Sequence, residues 1–170
     1  TFLARSVDVF QPHMKPTLKR VASHKGPAFT EILQNCNIFN DGAWDAISEK
    51  DVRDDHVLFL EHGKPLIFGK TKDKGIRMNG FDIEVVTLGQ GVAEADLLVH
   101  DERHPSPAYA FMLASMDSRP GFPTPVGVLR AIDHASYEDL VNDQVAQVIA
   151  AKGKGDLNKL LRGAETWEVR

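Results

Sequence analysis

One cysteine, Cys36, stands in the run Gln34-Asn35-Cys36-Asn37, and it is the first side chain here to ask about chemistry. The residues before it, Phe29, Ile32 and Leu33, are strand formers that follow a turn signal at Gly26-Pro27. Gln34 to Asn37 then compete with a ladder for hydrogen bonds and favour a turn. The spacing therefore predicts a thiol just past the C-terminal end of a buried strand. In open α/β sheets, ligands and cofactors gather at that end. The plainer reading of a lone cysteine is a small buried hydrophobe.

The histidines offer less. His100 and His104 are spaced i, i+4, which on a helix sets two metal ligands on one face. Pro105 and the surrounding loop composition argue against that helix, no third ligand is apparent, and a surface or loop role is expected. His24 and His62 fall near expected turns beside the cofactor end of the sheet, where either could donate a proton. A hydrogen-bonded turn residue is the simpler reading of both. The run from Gly63 to Gly69-Lys70-Thr71 has five residues between its glycines where a phosphate loop has four, and its apolar centre reads as a strand. Gly89-Gln90-Gly91 lacks the third glycine of a dinucleotide fingerprint, with Glu94 in that place. No Ser-His-Asp arrangement follows from the residue order.

The elements that must position these residues read as follows. Phe2 to Ala4 is a short strand. A helix follows, with Pro12 and Pro16 in its early turns and Met14, Leu18, Val21 and Ala22 as its packing face. Strand, helix, strand predicts a parallel α/β unit over residues 1–47, closed by a helical turn at Ala43 to Ile47. Two strands make no stable open sheet, so this unit needs a larger one. Over residues 48–170 a small antiparallel β region and C-terminal helices are expected. His56 to Leu60 and Pro65 to Phe68 read as a hairpin. Ile76 to Met78 and Phe81 to Leu88 read as a second, joined by Asn79-Gly80, with Phe81, Ile83 and Val85 on one face. Asp96 to Val99 suggests a further strand. Ser106-Pro107 opens a helix packing through Ala108, Phe111, Met112 and Ser115. A proline-rich link from Arg119 to Pro125 leads to the strand Val126 to Leu129. Ser136 and Asp139 form a capping box for a helix whose stripe includes Tyr137, Leu140, Val141, Gln144, Val145, Val148 and Ile149. Gly153 stops it, Asp156 to Arg162 is a second short helix, and Trp167 is either a contact residue or folded back on the core.

Composition narrows the function classes. The chain is 42% hydrophobic and 26% charged, the balance of a soluble globular protein, and no run approaches the roughly 20 apolar residues of a membrane span. Phe2 to Phe10 is interrupted by Arg5 and Asp8 and has no basic leader, unlike a signal peptide. A formal charge of −4 with scattered basic residues argues against nucleic acid as the main partner, and neither nucleic acid nor membrane is expected. Lys70, Lys72 and Lys74 read as a solvated edge. A single cysteine forms no internal disulfide, which fits a reducing compartment.

The run Gln34 to Gly42 also resembles a segment of the beta subunit of 2-oxoacid:ferredoxin oxidoreductases, particularly the 2-oxoglutarate type. The likeness continues at Thr1 to Ser6, His24 to Gly26, Leu60 to Gly63, Leu98 to Asp101 and Phe122 to Arg130. It implies a cytoplasmic enzyme that uses thiamine diphosphate, Mg2+ and a 4Fe-4S cluster to decarboxylate a 2-oxoacid. Coenzyme A would take the acyl group, ferredoxin the electrons, and an alpha subunit would be the partner. In this likeness Cys36 is the fourth cluster ligand, with backbone amides and side-chain amides from Asn35 and Asn37 available to donate to its sulfur. Residues 1–47 would be the last strand–helix–strand part of a thiamine diphosphate-binding domain, and 48–170 a C-terminal α+β extension. The family's thiamine diphosphate motif and its other three cluster cysteines have no counterpart in these 170 residues. The resemblance therefore implies the C-terminal part of the subunit, opening on Thr1 in mid-domain, inactive alone and not binding either cofactor unaided; no catalytic or thiamine diphosphate-binding residue is assigned. It further implies an exposed apolar sheet edge at Phe29 to Leu33. The alternatives are a non-catalytic interaction module with an inert Cys36, and the same enzyme class acting on pyruvate or another 2-oxoacid.

Overall fold

The computed structural model describes residues 1–167 and 169. Strand β1 (Phe2–Val7) and strand β2 (Ala28–Leu33) run parallel, in register from Phe2↔Ala28 to Val7↔Leu33. Parallel neighbours need a crossover, and helix α1 (Gln11–Ser23) provides it, with Pro12 in its first turn. The helix turns a different face to the sheet from the one its apolar spacing predicts. Thr17 is buried and Leu18 is exposed, while Val21 packs with Phe2 and Ala4. Burying Thr17 costs little because its hydroxyl donates to the His13 carbonyl at 2.9 Å.

Strand β3 (Val57–Phe59) joins this sheet, not a hairpin with the residues after it. Strand β4 (Ile67–Phe68), strand β5 (Lys74–Asn79) and strand β6 (Asp82–Thr87) form a separate antiparallel sheet in the order β4-β5-β6. The expected hairpin of His56 to Leu60 with Pro65 to Phe68 is thus overturned, because each half finds a better-matched neighbour in a different sheet. The β5–β6 hairpin is borne out with its turn moved by one residue. Asn79 pairs with Asp82, the loop is Gly80-Phe81, and only Gly80 takes positive φ (63°). Phe81 consequently stands in solvent at the tip, and Ile83 is the buried residue of β6. Asp96 to Val99 is no strand. A 3-10 turn at Glu94–Asp96 leads to Leu98, whose N–H donates to Ile76 and whose carbonyl accepts from Leu66.

Short helices α2 (Asp45–Ser48) and α3 (Arg53–His56) precede β3, and helix α4 (Pro107–Ala114) starts where Ser106 accepts from Ala108 N–H at 3.2 Å. Ala110 and Leu113 form its buried line, with Phe111 exposed. The line continues into Met116 through a following 3-10 turn, so the packing face is displaced from the expected one, of which Met112 still packs against the core. Strand β7 (Thr124–Ala131) extends the predicted strand at both ends and lies antiparallel to β1 and parallel to β3. The main sheet is therefore mixed, in the order β2-β1-β7-β3. Its core has three clusters: one around Leu58, Phe68, Ile76, Leu113 and Leu129, one around Val7, Leu33, Ile47 and Val126, and one around Phe2, Ala4 and Val128.

These elements form one compact unit, residues 1–134, and residues 135–170 form a second. The second unit holds helix α5 (Tyr137–Lys152) and helix α6 (Leu157–Arg162). The capping box at Ser136 and Asp139 is present, Gly153 ends α5 with φ of 78°, and Asp156 caps α6. Trp167 is 84% exposed.

Gly127 and Gly80 separate a close approach from a free turn. A Cβ on Gly127 (φ 129°) would lie 2.9 Å from the Leu60 carbonyl oxygen, whereas a Cβ on Gly80 meets nothing within 4 Å. Gly80→Ala is expected to cost about 1–2 kcal/mol, the ordinary left-handed penalty. Gly127→Ala adds a backbone clash and is expected to cost about 3 kcal/mol or more. Urea unfolding of the two variants checks this, and equal losses would refute the close approach.

Candidate functional site

The Cys36 loop starts where Leu33, the buried last residue of β2, locks into the cluster with Val7 and Phe10. The Asp8 N–H donates to the Leu33 carbonyl at 3.1 Å, so the ends of both parallel strands are tied together. The chain then turns back on itself: Asn40 N–H donates to the Cys36 carbonyl at 2.9 Å. Asn35 staples the turn. Its Nδ2 donates to Asn37 Oδ1 at 3.0 Å and to Asp41 Oδ1 at 2.9 Å, and its Oδ1 accepts from Gly42 N–H at 3.0 Å. Trp44 closes the loop against the same cluster as Leu33.

Cys36 is half-buried in this turn. The backbone N–H groups of Phe39 and Ile38, with a smaller contribution from Asn40, hold its thiol below the usual cysteine pKa against the opposing effect of burial. The expected backbone amides are found at the sulfur, from residues 38–40, whereas the side-chain amides of Asn35 and Asn37, also expected, are not among the groups that act on it. The Asn35 amide is engaged across the loop, and the main chain of residues 38–40 takes its place. Ile38 and Phe39, 84% and 89% exposed, flank the thiol on the outside.

Two expectations about β2 resolve differently. It is not a buried strand but the edge of the sheet, with Phe29 64% exposed and Ile32 also exposed. The exposed apolar edge at Phe29 to Leu33 is borne out for Phe29 and Ile32, while Leu33 turns inward. A feature that the sequence reading missed lies on the neighbouring strand. Arg5 is 8% exposed, with Nε 2.6 Å from Glu31 Oε2 and Nη2 donating to the Ala114 carbonyl at 3.3 Å. Its Nη1 lies 3.0 Å from Asp117 Oδ2, close enough for charge pairing although poorly angled for a hydrogen bond. A lone charged residue in a strand whose only other polar residue is Ser6 was the available signal. Trp44, Ile47, Asp117, Ser118 and Thr124 line a cleft of about 400 Å³ at this end of the sheet.

The histidines do not converge on Cys36. His24 and His62 sit at the opposite end of the sheet from the one expected. His24 precedes β2, with Nε2 2.9 Å from Thr1 Oγ1 and its ring against Phe2. His62 follows β3, which runs with β7 and against β1, and its Nδ1 accepts from Glu102 N–H at 3.3 Å. His100 and His104 lie in a loop, as expected, but His100 is buried, not at the surface. The Val128 carbonyl accepts from His100 Nε2 at 2.8 Å, so Nδ1 carries the lone pair and accepts from the Tyr109 hydroxyl at 3.2 Å. Burial pushes the Tyr109 pKa up to about 12 and the His100 pKa down. Among the described residues, no group of three or more His, Cys, Asp and Glu side chains could hold a metal ion.

The remaining motifs behave as strand and turn. Ile67–Phe68 is β4, and Gly89 N–H closes a turn onto the Val92 carbonyl. Of the lysine cluster, Lys70 and Lys72 are exposed but Lys74 Nζ donates to Asp55 at 3.0 Å, which lowers the Asp55 pKa. No described helix is long and apolar enough to cross a membrane.

No protein-family model matches the chain, and no solved structure matches it. It is similar to the 2-oxoglutarate oxidoreductase subunit KorB of Mycobacterium tuberculosis (strain ATCC 25618 / H37Rv), with 36% identity over 171 residues. The match covers 99% of this chain and 45% of that relative, so the chain spans about half the length of the curated protein it matches. The resemblance read from Gln34 to Gly42 is borne out at this level.

The histidine geometry has a consequence for stability. Burial lowers the pKa of both His13 and His100 from 6.5. As pH falls through that value the unfolded chain takes up protons that the folded chain resists. The stability from these neutral rings is complete above about pH 6.5 and is lost as pH falls toward the folded values. Urea midpoints measured from pH 7.5 to 5.5 should fall, and should fall less in a His13→Asn/His100→Asn variant. An equal slope in both proteins would refute the assignment.

Proposed function

We propose that this chain, KorB-like along its length, is the C-terminal part of the beta subunit of a cytoplasmic 2-oxoacid:ferredoxin oxidoreductase. The enzyme oxidatively decarboxylates 2-oxoglutarate to an acyl-CoA and passes the electrons to ferredoxin, with an alpha subunit as partner. The observation that carries this reading is the 36% identity to KorB across 99% of the chain. In this reading residues 1–47 are the end of the thiamine diphosphate-binding domain and 48–170 its extension.

A 4Fe-4S cluster needs thiolates, and hydrogen bonds to sulfur tune it. Cys36 fits one ligand position: half-buried, in a stapled turn, with main-chain N–H groups lowering its pKa. It is the only cysteine, so the other ligands come from outside these residues. When bound, the cluster supplies electron transfer to ferredoxin, and thiamine diphosphate with Mg2+ supplies the decarboxylation chemistry. The chain's own residues have narrower tasks. Phe39 and Ile38 N–H groups hold the thiolate, Asn35 fixes the turn, and Arg5 with Glu31 fixes β1 against β2 beneath it. No residue here is assigned to thiamine diphosphate, and the chain alone is inactive. A non-catalytic module is the second reading, favoured by the three-cluster core that residues 1–134 enclose by themselves.

Anaerobic co-expression of the full-length subunit with its alpha partner, as wild type and as Cys36→Ser, separates the two readings. The wild type is expected to reduce ferredoxin with 2-oxoglutarate and not with pyruvate. Cys36→Ser is expected to lose cluster iron and at least about tenfold of the activity. Unchanged iron would remove Cys36 from the site, and a wild type without 2-oxoacid turnover would leave the module reading.

A further inference from the structure

Helix α5 carries Glu138, Val141, Val145, Val148 and Lys152 along one side. Their 3-4-3-4 spacing is that of a coiled-coil seam. Tyr137, Leu140 and Ile149 flank it, 74%, 49% and 44% exposed, and Val145 and Val148 are about half exposed. No residue of α5 or α6 is buried. Within residues 135–170 the stripe that made this helix the most legible in the sequence is thus left without a cover. Among the described residues, neither Glu138 nor Lys152 forms an ion pair.

The charges on this seam select what covers it. Glu138 and Lys152 lie equally far before and after Val145. A second copy of the helix, antiparallel and crossing at Val145, sets each Glu138 beside the other copy's Lys152 and repeats that pair by symmetry. The same orientation opposes the two helix macrodipoles. A parallel copy would instead set Glu138 on Glu138 and Lys152 on Lys152. An interface of this kind is isologous, the commonest form of closed oligomer. A stable one buries roughly 800 Å² per partner, more than one helix of this length covers. Leu157, Leu160 and Leu161 of α6, 67–77% exposed, are the apolar residues placed next in the chain to extend it.

We propose that α5 is a self-association surface, on which α5 of a second copy packs antiparallel across Val141, Val145 and Val148, with reciprocal Glu138–Lys152 pairs at its ends. This does not depend on the enzyme assignment. Sedimentation equilibrium of the 170-residue chain, at low salt and across a concentration series, tests it with Glu138→Lys, Lys152→Glu and the double swap. The wild type should dimerise. Each single swap turns two attractive pairs into repulsive ones and should weaken dimerisation about tenfold, while the double swap should recover to within about threefold of wild type. Mere damage to the helix predicts the reverse order, because each swap opposes the macrodipole and the double swap would then be worst. A monomeric wild type, a dimer indifferent to the single swaps, or a double variant weaker than either single would each overturn the proposal.

Discussion

The arrangement of residues 1–134 depends on the close approach of β7 to the backbone after β3. Leu60 N–H donates to the Val126 carbonyl at 2.8 Å, and the neighbouring Gly127 leaves no room for a side chain against Leu60. That contact lets β7 sit between β1 and β3 and pair with both. One strand from late in the chain thereby closes the parallel unit formed at the beginning. The pairing with β1 is interrupted by a register shift between Leu3 and Ala4, which lets Val128 and Ala131 both serve the cluster under α1. Bulges of this kind re-aim side chains without ending a sheet.

The Cys36 end depends on a second constraint, a buried charge. Arg5 comes out of water between Glu31, Asp117 and the Ala114 carbonyl. A buried guanidinium is tolerated when its partners are in place, and losing them would leave an uncompensated buried charge. The network ties the edge strand β2 to β1 and to the segment after α4, so β2 remains fixed although its outer face is exposed. The loop that presents Cys36 springs from the end of that strand. A stiff strand end and the Asn35 staple together define where the thiol lies, which a flexible edge would not.

Much of the fold was legible from local signals. Gly26-Pro27, Asn79-Gly80, Ser106-Pro107 and the Ser136–Asp139 box each mark a boundary through backbone chemistry, and the structure has a turn or cap at each. The Cys36 run carried the family resemblance, and its turn geometry follows from amide-rich composition. Where spacing alone was used to choose a packing face, in α1 and α4, the choice was off by part of a turn. Thr17 and Met116 are buried because particular partners satisfy or surround them, and hydrophobicity along the helix does not contain that information.

By itself the sequence determined where elements begin and end, because capping, φ preference and periodicity act within a few residues. It also determined that Cys36 stands alone, in a turn, at the end of a strand. Only the tertiary structure decided which strands pair, and so which end of the sheet each histidine occupies. His62 moved to the far end because β7 reverses direction against β1 and β3 follows β7, whereas His24 lies there because it precedes β2, which runs parallel to β1. Arg5 became a buried hub, and His100 a buried ring, through partners far away in the chain. Strand pairing and burial of charge are set by contacts across long separations, and no local run of residues encodes them.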